Sequence, residues 1–352
     1  ASSPSAAPAH RWTFARSGRW NRRMPADDRF VTRAYRPGDE TAILDLFVRC
    51  FHTQRTLEHF RWKYLQNPYG NAHISLTFDS DGRLVGHYAG YPVPFVEGRR
   101  DRVAHQIGDT MTDPSIRHVG RGPTSILGRT ALHFYENFCE GKVAFNYGFN
   151  VANIQRFSLR FLRSDRVEPV SYWRRELPLK GIARASRWIR GYQLELVHDP
   201  GAEFDRLLER VAPSHRFFVR RDALYLRWRY LECPDLGPFV VAIRKWRRLV
   251  GWSVFRIREK GLLWGDALFD PEHTDAVGVL LRHVVPSYPV ERVEAWFAPR
   301  PPWIADVLSR AGFLAGTEPQ DLSVMCVPFA LPDATERMRN ALYYTLGDSD
   351  LF

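Results

Sequence analysis

An internal repeat constrains the fold of this chain more than any other feature of its sequence. Three short blocks recur in the same order and at nearly the same spacing. The matched pairs are RWKYL at 61–65 with RWRYL at 227–231, RLVG at 83–86 with RLVG at 248–251, and GDTMTDP at 108–114 with GDALFDP at 265–271. Because three ordered matches rarely arise by chance, we predict a duplicated domain of about 150 residues.

Both copies show the same order of hydrophobic periodicities. A strand is followed by two helices, three strands, a helix, a strand, a helix and the final strands, which is a mixed α/β order. The prediction is an α/β (mixed α+β) fold of two tandem domains. Its parts are a basic arm at 1–28, an N-terminal domain at 29–180, a C-terminal domain at 190–330 and a C-terminal tail at 331–352.

The composition narrows the class of protein. Hydrophobic residues make up 45% and charged residues 25% of the chain, the balance of a globular protein. No apolar run reaches the roughly 18 residues that a membrane span needs. The arm at 1–28 has no acid before Asp27, which is typical of a transit peptide and also of a disordered basic arm, and we favour the arm. The four cysteines form no CxxC pair, so we expect no metal site, reduced thiols and a cytoplasmic location.

A glycine motif between a predicted strand and a predicted helix carries the clearest chemical signal. Residues 117–122 read RHVGRG, an R-x-x-G-x-G pattern. Glycines let the main chain approach a ligand closely, and the start of a helix offers unpaired N–H groups and a positive dipole end. The motif therefore predicts a phosphate-binding loop, with Arg117 and Arg121 adding positive charge. Its spacing fits neither a P-loop nor a dinucleotide-binding fingerprint.

This motif and its surroundings resemble a known superfamily. The segment from 108 to 124 is similar to the cofactor motif of the GNAT acyl-CoA N-acyltransferases, and the segment from 146 to 162 is similar to the motif that follows it. The resemblance implies a splayed sheet whose fourth and fifth strands part, with acetyl-CoA or another acyl-CoA bound in the gap. The residues it assigns to this site are Thr110, Met111, Thr112, Arg117, His118, Val119, Gly120, Arg121, Gly122, Thr124, Asn150 and Asn153.

The resemblance also implies catalytic groups. Acyl transfer to an amine needs a neutral nucleophile, a donor to the developing oxyanion and a proton source for the thiolate. A main-chain N–H at Met111 or Thr112 is expected to serve the oxyanion. Asp109 is either a general base or a structural acid, because the second copy keeps Asp266 at the matching position.

The proton source departs from the family pattern. Many members carry a tyrosine on the helix after the fifth strand, where this chain has Phe157. Tyr147, at the end of that strand, is the nearest replacement, although its position also fits a tyrosine of the core.

The second copy lacks the glycine motif. After its GDALFDP block it reads EHTDAVG at 272–278, where acidic side chains would repel a pyrophosphate. We therefore predict a degenerate second domain that binds no coenzyme A and shapes the acceptor pocket of the first. In the tail, Asp348 and Asp350 either belong to a frayed surface end or fold back and hold the amine of the substrate.

Three functions remain open at this point. The first is an N-acyltransferase, in its simplest form an acetyltransferase, acting on the amine of a small molecule such as an amino sugar, an amino acid or a metabolite precursor. The second is an aminoacyl-tRNA-dependent transferase of the Fem type, which would suit the net charge of +11 but does not need the phosphate-binding loop. The third is a non-catalytic acyl-CoA-binding module, which Phe157 favours.

Overall fold

The structure is a computed structural model that describes residues 29–98, 100–177, 188–189, 191–235 and 237–352. The predicted arm at 1–28 and most of the predicted linker lie outside these residues. The strands are β1 (Phe30–Ala34), β2 (His73–Asp79), β3 (Leu84–Glu97), β4 (Arg100–Thr112), β5 (Phe145–Asn150), β6 (Asp165–Pro169), β7 (Ser171–Glu176), β8 (Trp188–Ile189), β9 (Tyr192–Val197), β10 (Phe217–Val219), β11 (Phe239–Lys245), β12 (Arg248–Arg258), β13 (Gly261–Phe269), β14 (Arg292–Trp296), β15 (Leu314–Thr317), β16 (Ser323–Pro328) and β17 (Leu342–Tyr343). The helices are α1 (Glu40–Phe51), α2 (Leu57–Tyr64), α3 (Ile126–Phe134), α4 (Ala152–Phe161), α5 (Ala202–His215), α6 (Ala223–Leu226), α7 (Asp275–Val284), α8 (Trp303–Arg310) and α9 (Ala334–Ala341). Among the described helices, none has the length and apolar character of a membrane span.

Within the described residues the strands form two mixed sheets. The first has the order β1-β2-β3-β4-β5-β16-β6, with β10 pairing with β3 and β17 pairing with β10. The second has the order β15-β7-β14-β13-β12-β11-β9-β8. Helices flank both sheets, and this two-domain α/β architecture confirms the predicted fold class.

Each half of the chain contributes to the sheet of the other half: the first sheet contains β10, β16 and β17 from the second half, and the second sheet contains β7 from the first half. The strand β16 lies between β5 and β6, while β7 lies between β14 and β15. A division at residue 180 therefore does not separate two independent sheets. A hydrophobic pattern identifies a strand but not its hydrogen-bonding partner, so the sequence did not reveal this exchange.

The repeated RWKYL and RWRYL blocks meet at the centre of the molecule. Trp62 and Trp228 stack with ring centroids 5.7 Å apart, and both side chains are buried. The indole N–H of Trp62 donates to the carbonyl oxygen of Trp228 at 2.7 Å, and the reverse hydrogen bond measures 3.2 Å. Such reciprocal contacts are those of two copies related by an approximate twofold axis.

Strand alternation gives the first sheet two faces with different neighbours. On β3, a Cβ at Gly86 or Gly90 would meet side chains of α3. His87 and Tyr91, which alternate with these glycines, make ring contacts with Tyr64 of α2. We call these the α3 face and the α2 face, because the site described below reaches both.

The last residues of the chain run through the interior. We call residues 342–352 the C-terminal segment. It starts with β17, which pairs in parallel with β10, and continues through a bridge between Thr345 and Phe297. Thr345, Asp348 and Phe352 are buried. The segment therefore packs between the two halves and is not a frayed end.

The tryptophan pair offers a test of the interface between the two copies. We expect Trp62→Ala to lower the free energy of unfolding by about 3 to 5 kcal/mol, because it removes a buried aromatic side chain and leaves the carbonyl oxygen of Trp228 without its donor. Urea denaturation followed by circular dichroism measures the change. The control is Trp246→Ala, since Trp246 is 74% exposed and should cost less than about 0.5 kcal/mol. Equal effects of the two substitutions would contradict a central role for the pair.

Candidate active site

A cleft opens where β4 and β5 separate. These parallel strands pair only at His105 with Asn146 and at Gln106 with Tyr147. Beyond this point a narrow cleft, with a cavity volume of about 30 Å³, lies between the strands and α4. Its lining includes Ile107, Thr110, Tyr147, Gly148, Asn150 and Ser158. The cleft is the gap that a splayed sheet predicts.

The glycine loop lies between β4 and α3. Gly120 and Gly122 have φ angles of +73° and +53°. A Cβ at Gly120 would lie 2.4 Å from the carbonyl oxygen of Thr124, and one at Gly122 would lie 2.7 Å from the ring of Phe161. Both positions therefore require glycine, for the backbone conformation and for space.

The main-chain N–H groups of this loop fall into two sets. Those of Val119, Arg121 and Thr124 donate to acceptors within the loop and its flanking turn. In the described part of the chain, the N–H groups of Gly120 and Gly122 have no acceptor. These two glycine amides, next to the start of α3, can bind an anion such as a phosphate.

The other residues predicted for the acyl-CoA site occupy different settings. Thr110 and Asn150 line the cleft. Met111 is buried in the main hydrophobic core, and Thr112 accepts a hydrogen bond from Arg117 through its carbonyl oxygen at 3.2 Å. Exposed to solvent are Arg117, His118, Arg121, Thr124 and Asn153. The structure thus brings the loop and two cleft residues to one side of the sheet and directs Met111 elsewhere.

A β-bulge interrupts β4 beside the cleft. Gly108 lies opposite Ala89 and Met111 lies opposite His87, so two residues of β4 face one residue of β3. The first of these two, Asp109, has a φ of +48°, a left-handed conformation that aspartate tolerates better than most residues. The bulge interrupts the regular alternation of side chains along β4, and it aims the N–H of Asp109 away from β3 and at the C-terminal segment.

Asp109 is the centre of a buried cluster of charges. Lys63 donates to its Oδ2 at 2.9 Å, Tyr64 donates at 2.5 Å, and Arg55 forms an ion pair with the same oxygen. Burial alone would raise the pKa of Asp109, but the charges of Arg55 and Lys63 outweigh it and hold this pKa well below its usual range. An ionised carboxylate held by two cations is a weak base, so the geometry favours the structural interpretation of Asp109.

The second half contains a matching cluster around Asp266. Arg221 donates to this carboxylate at 2.9 Å, and Tyr230 donates at 2.7 Å. Sequence reasoning missed the arginines of both clusters. The signal was present, because Arg55 and Arg221 are separated by the same 166 residues as the RWKYL and RWRYL blocks.

Asp350 reaches the first cluster from the C-terminal segment. Its Oδ1 forms an ion pair with Lys63, and its Oδ2 accepts the main-chain N–H of Asp109 at 2.9 Å. Burial, and then the negative charge of Asp109, raises the pKa of Asp350. The side chain keeps 22% of its surface exposed, so a ligand can reach this carboxyl group.

Asp348 has a different position from the one predicted for a substrate contact. Its carboxyl group is buried, forms an ion pair with Arg221 and accepts the N–H of Thr345 at 2.7 Å. Burial raises its pKa to about 6, although Arg221 opposes the rise. This carboxyl group belongs to the Asp266 cluster, where an acceptor would not reach it. The sequence could not distinguish the two acids, because their neighbours in space are distant in the chain.

Tyr147 and Phe157 differ in their relation to the cleft. Tyr147 lines it and donates its hydroxyl hydrogen to Gln106 Oε1 at 3.0 Å. Burial raises the pKa of Tyr147 well above its usual value, so the phenol stays protonated. Phe157 packs against Phe161 on α4, whereas Ser158, the next residue, lines the cleft.

Comparison with known proteins agrees with this geometry. Residues 31–159 match the family model of the acetyltransferase (GNAT) domain. This match assigns residues 31–159 to the GNAT superfamily. The match covers the glycine loop, the cleft strands and most of α4, which are the parts that the sequence resemblance identified. A search of curated protein sequences finds no match.

Solved structures share the fold of both halves. A conserved protein from Enterococcus faecalis V583, described as a probable N-acyltransferase, superposes with a TM-score of 0.62 at 13% identity, over 86% of this chain and 73% of that one. A GCN5-related N-acetyltransferase from Anabaena variabilis gives a TM-score of 0.60 at 13% identity, over 85% and 72%. Another from Kribbella flavida gives 0.57 at 13% identity, over 88% and 74%. The GNAT fold of this chain therefore includes its two-domain arrangement.

The charge cluster around Asp109 predicts a pH-dependent contribution to stability. We expect Asp109→Asn to cost about 3 to 5 kcal/mol at neutral pH, because two buried cations lose their shared carboxylate. Since the pKa of Asp109 is lower in the folded than in the unfolded protein, this contribution is complete above the unfolded pKa of about 4 and is lost as the pH falls further. Urea denaturation of both proteins at several pH values should show the difference shrinking in acid.

Asp101 provides the matched control for this prediction. It lies on the same strand and pairs with Arg220, but its side chain is 62% exposed. Asp101→Asn should therefore cost less than about 1 kcal/mol. A comparable loss in both variants would mean that the Asp109 cluster is not a special source of stability.

Proposed function

We propose that this protein is an acyl-CoA-dependent N-acyltransferase, in its simplest form an acetyltransferase, which modifies the primary amine of a small molecule. One observation carries the proposal: the open cleft between β4 and β5 adjoins a glycine loop with two unpaired amides, on the α3 face of a GNAT domain. The loop suits a pyrophosphate, and the cleft lies where the pantetheine arm that follows the pyrophosphate would run between the parted strands.

The bound thioester would supply an activated acyl carbon, and the residues around the cleft would orient it. Thr110, the second residue of the bulge, lines the cleft, and we assign a main-chain N–H of this stretch as donor to the carbonyl oxygen. Tyr147 lines the same cleft, and we assign its phenol, which burial keeps protonated, to give a proton to the leaving thiolate.

The second half supports a single working site. It has no R-x-x-G-x-G motif, and acids stand at the start of α7. The strands β13 and β14 also part, beyond the pairing of Trp264 with Ala295. Phe352 lies against Gly265, the counterpart of Gly108, and therefore occupies the face that corresponds to the α2 face of the first half. We infer that this half binds no acyl-CoA.

Isothermal titration calorimetry with acetyl-CoA tests the proposal. We expect acetyl-CoA to bind at a single site per chain and mixed tRNA not to compete with it. Dephospho-coenzyme A derivatives should bind more weakly. Gly120→Ala should weaken binding at least about tenfold, because its Cβ collides with the loop and its φ is left-handed. Gly201→Ala is the control, because a Cβ there meets nothing within 4 Å. Salt-sensitive binding of tRNA without binding of acetyl-CoA would replace this proposal by the aminoacyl-transfer function.

A further inference from the structure

We propose that Asp350 is the group that takes the proton from the acceptor amine, and that the second half of the protein acts as a clamp that holds Asp350 at the first cleft. This inference rests on the acyl transfer proposed above. It assigns a chemical role to the C-terminal segment and a positioning role to the half that has no glycine motif.

Asp350 lies on the opposite side of β4 from the cleft. Ile107 and Thr110 line the cleft on the α3 face. Between them in sequence, Gly108 faces the α2 side, where a Cβ would lie 2.6 Å from Oδ2 of Asp350. An acyl carbon in the gap between β4 and β5 would therefore have the thioester arm on one side and this carboxylate on the other. An amine that approaches from the α2 face would meet Asp350 first.

The charges around Asp350 distinguish it from Asp109. Among the described residues, five ionisable groups face Asp350. They are Lys63 and Tyr64 of α2, Arg55 just before α2, Tyr91 of β3 and Asp109 of β4. Lys63 forms the one direct ion pair with Asp350 in the described structure, whereas Asp109 pairs with both cations. A carboxylate with a raised pKa and an exposed edge is the better proton acceptor of the two. Each of its oxygens can still accept another hydrogen bond.

The clamp consists of buried contacts on both sides of Asp350. Before it, Asp348 is paired with Arg221 in the interior. Around it, Arg229 donates to the carbonyl oxygens of Gly347, Ser349 and Phe352 at 3.2, 3.0 and 2.9 Å. After it, the ring of Phe352 is buried against Gly265. These contacts fix the main chain at positions 347 to 352, so Asp350 is a permanent wall of the first site.

The step balances as an ordinary acyl transfer. The lone pair of the amine forms the bond between nitrogen and the acyl carbon, and the bond between that carbon and sulfur breaks. The nitrogen gives one proton to Asp350, and the coenzyme A thiolate takes one from Tyr147. Water then removes the proton from Asp350 and restores that of Tyr147.

The first experiment compares wild type, Asp350→Asn, Asp350→Glu and the control Asp81→Asn, which changes an exposed acid in the turn after β2. Acetyl-CoA affinity is measured by calorimetry, and turnover by thiol release with glucosamine, lysine and spermidine as acceptors. We expect Asp350→Asn to bind acetyl-CoA within about twofold of wild type but to transfer about 10² to 10⁴ times more slowly. It should also lose the acidic limb of the kcat/KM profile, and Asp350→Glu should restore part of the rate.

The outcomes separate the two proposals. Unchanged turnover in Asp350→Asn, or faster turnover because a blocking carboxylate is gone, would overturn the role of Asp350 alone. Failure of the wild type to bind acetyl-CoA would instead remove the proposed function. NMR titration of the aspartate carboxyl carbons needs no acceptor, and a resonance assigned to Asp350 by the Asn variant should titrate above the usual range. Titration below that range would also overturn the inference.

The second experiment tests the clamp with two neighbouring residues. Phe352 is buried, whereas Leu351 is 45% exposed. Phe352→Ala should lower kcat about tenfold and shift the acidic limb of the pH profile, while acetyl-CoA affinity and the circular dichroism spectrum remain those of wild type. Leu351→Ala should leave all four measurements unchanged. If Phe352→Ala retained the wild-type kcat and pH profile, the second half would not be positioning Asp350.

Discussion

A carboxylate buried beside a parting pair of strands organises each half of this protein. A charge removed from water is stable only when paired, so Asp109 and Asp266 each gather an arginine and a tyrosine from the helical region that crosses the sheet. In the first half, the contacts of Arg55 and Tyr64 with Asp109 hold α2 against the sheet next to the cleft. The same requirement draws in the C-terminal segment, because Lys63 lies between the carboxylates of Asp109 and Asp350.

The two halves use this common plan differently. The first half keeps the glycine loop and the cleft, whereas the second half has no glycine motif and holds Phe352 against Gly265, where the first half has Asp350 against Gly108. Lys63 of the first half corresponds to Arg229 of the second, where the longer, forked guanidinium holds three carbonyl oxygens of the C-terminal segment. The first copy thus provides the cleft, and the second copy holds the C-terminal segment in place. This segment connects the two copies because its residue Asp350 reaches the Asp109 cluster of the first.

The strand exchange makes this division of roles permanent. Because β16 completes the first sheet and β7 completes the second, neither sheet is whole without the other half. The reciprocal hydrogen bonds of Trp62 and Trp228 add a buried, closely packed contact at the centre. The shared strands and this contact hold the two halves in a fixed relation, which a site built from both halves requires.

The sequence by itself determined the duplication, the α/β order and the position of the glycine loop, because each is recorded in short stretches of neighbouring residues, and its resemblance to the GNAT family implied the splayed strands. It left the roles of Asp109 and Asp348 open. Only the tertiary structure decided the strand exchange, the arginine partners and the arrival of Asp350, which is 241 residues from Asp109 and 287 from Lys63. Local patterns record periodicity and backbone conformation, whereas burial and ion pairing depend on which distant segments the fold brings together.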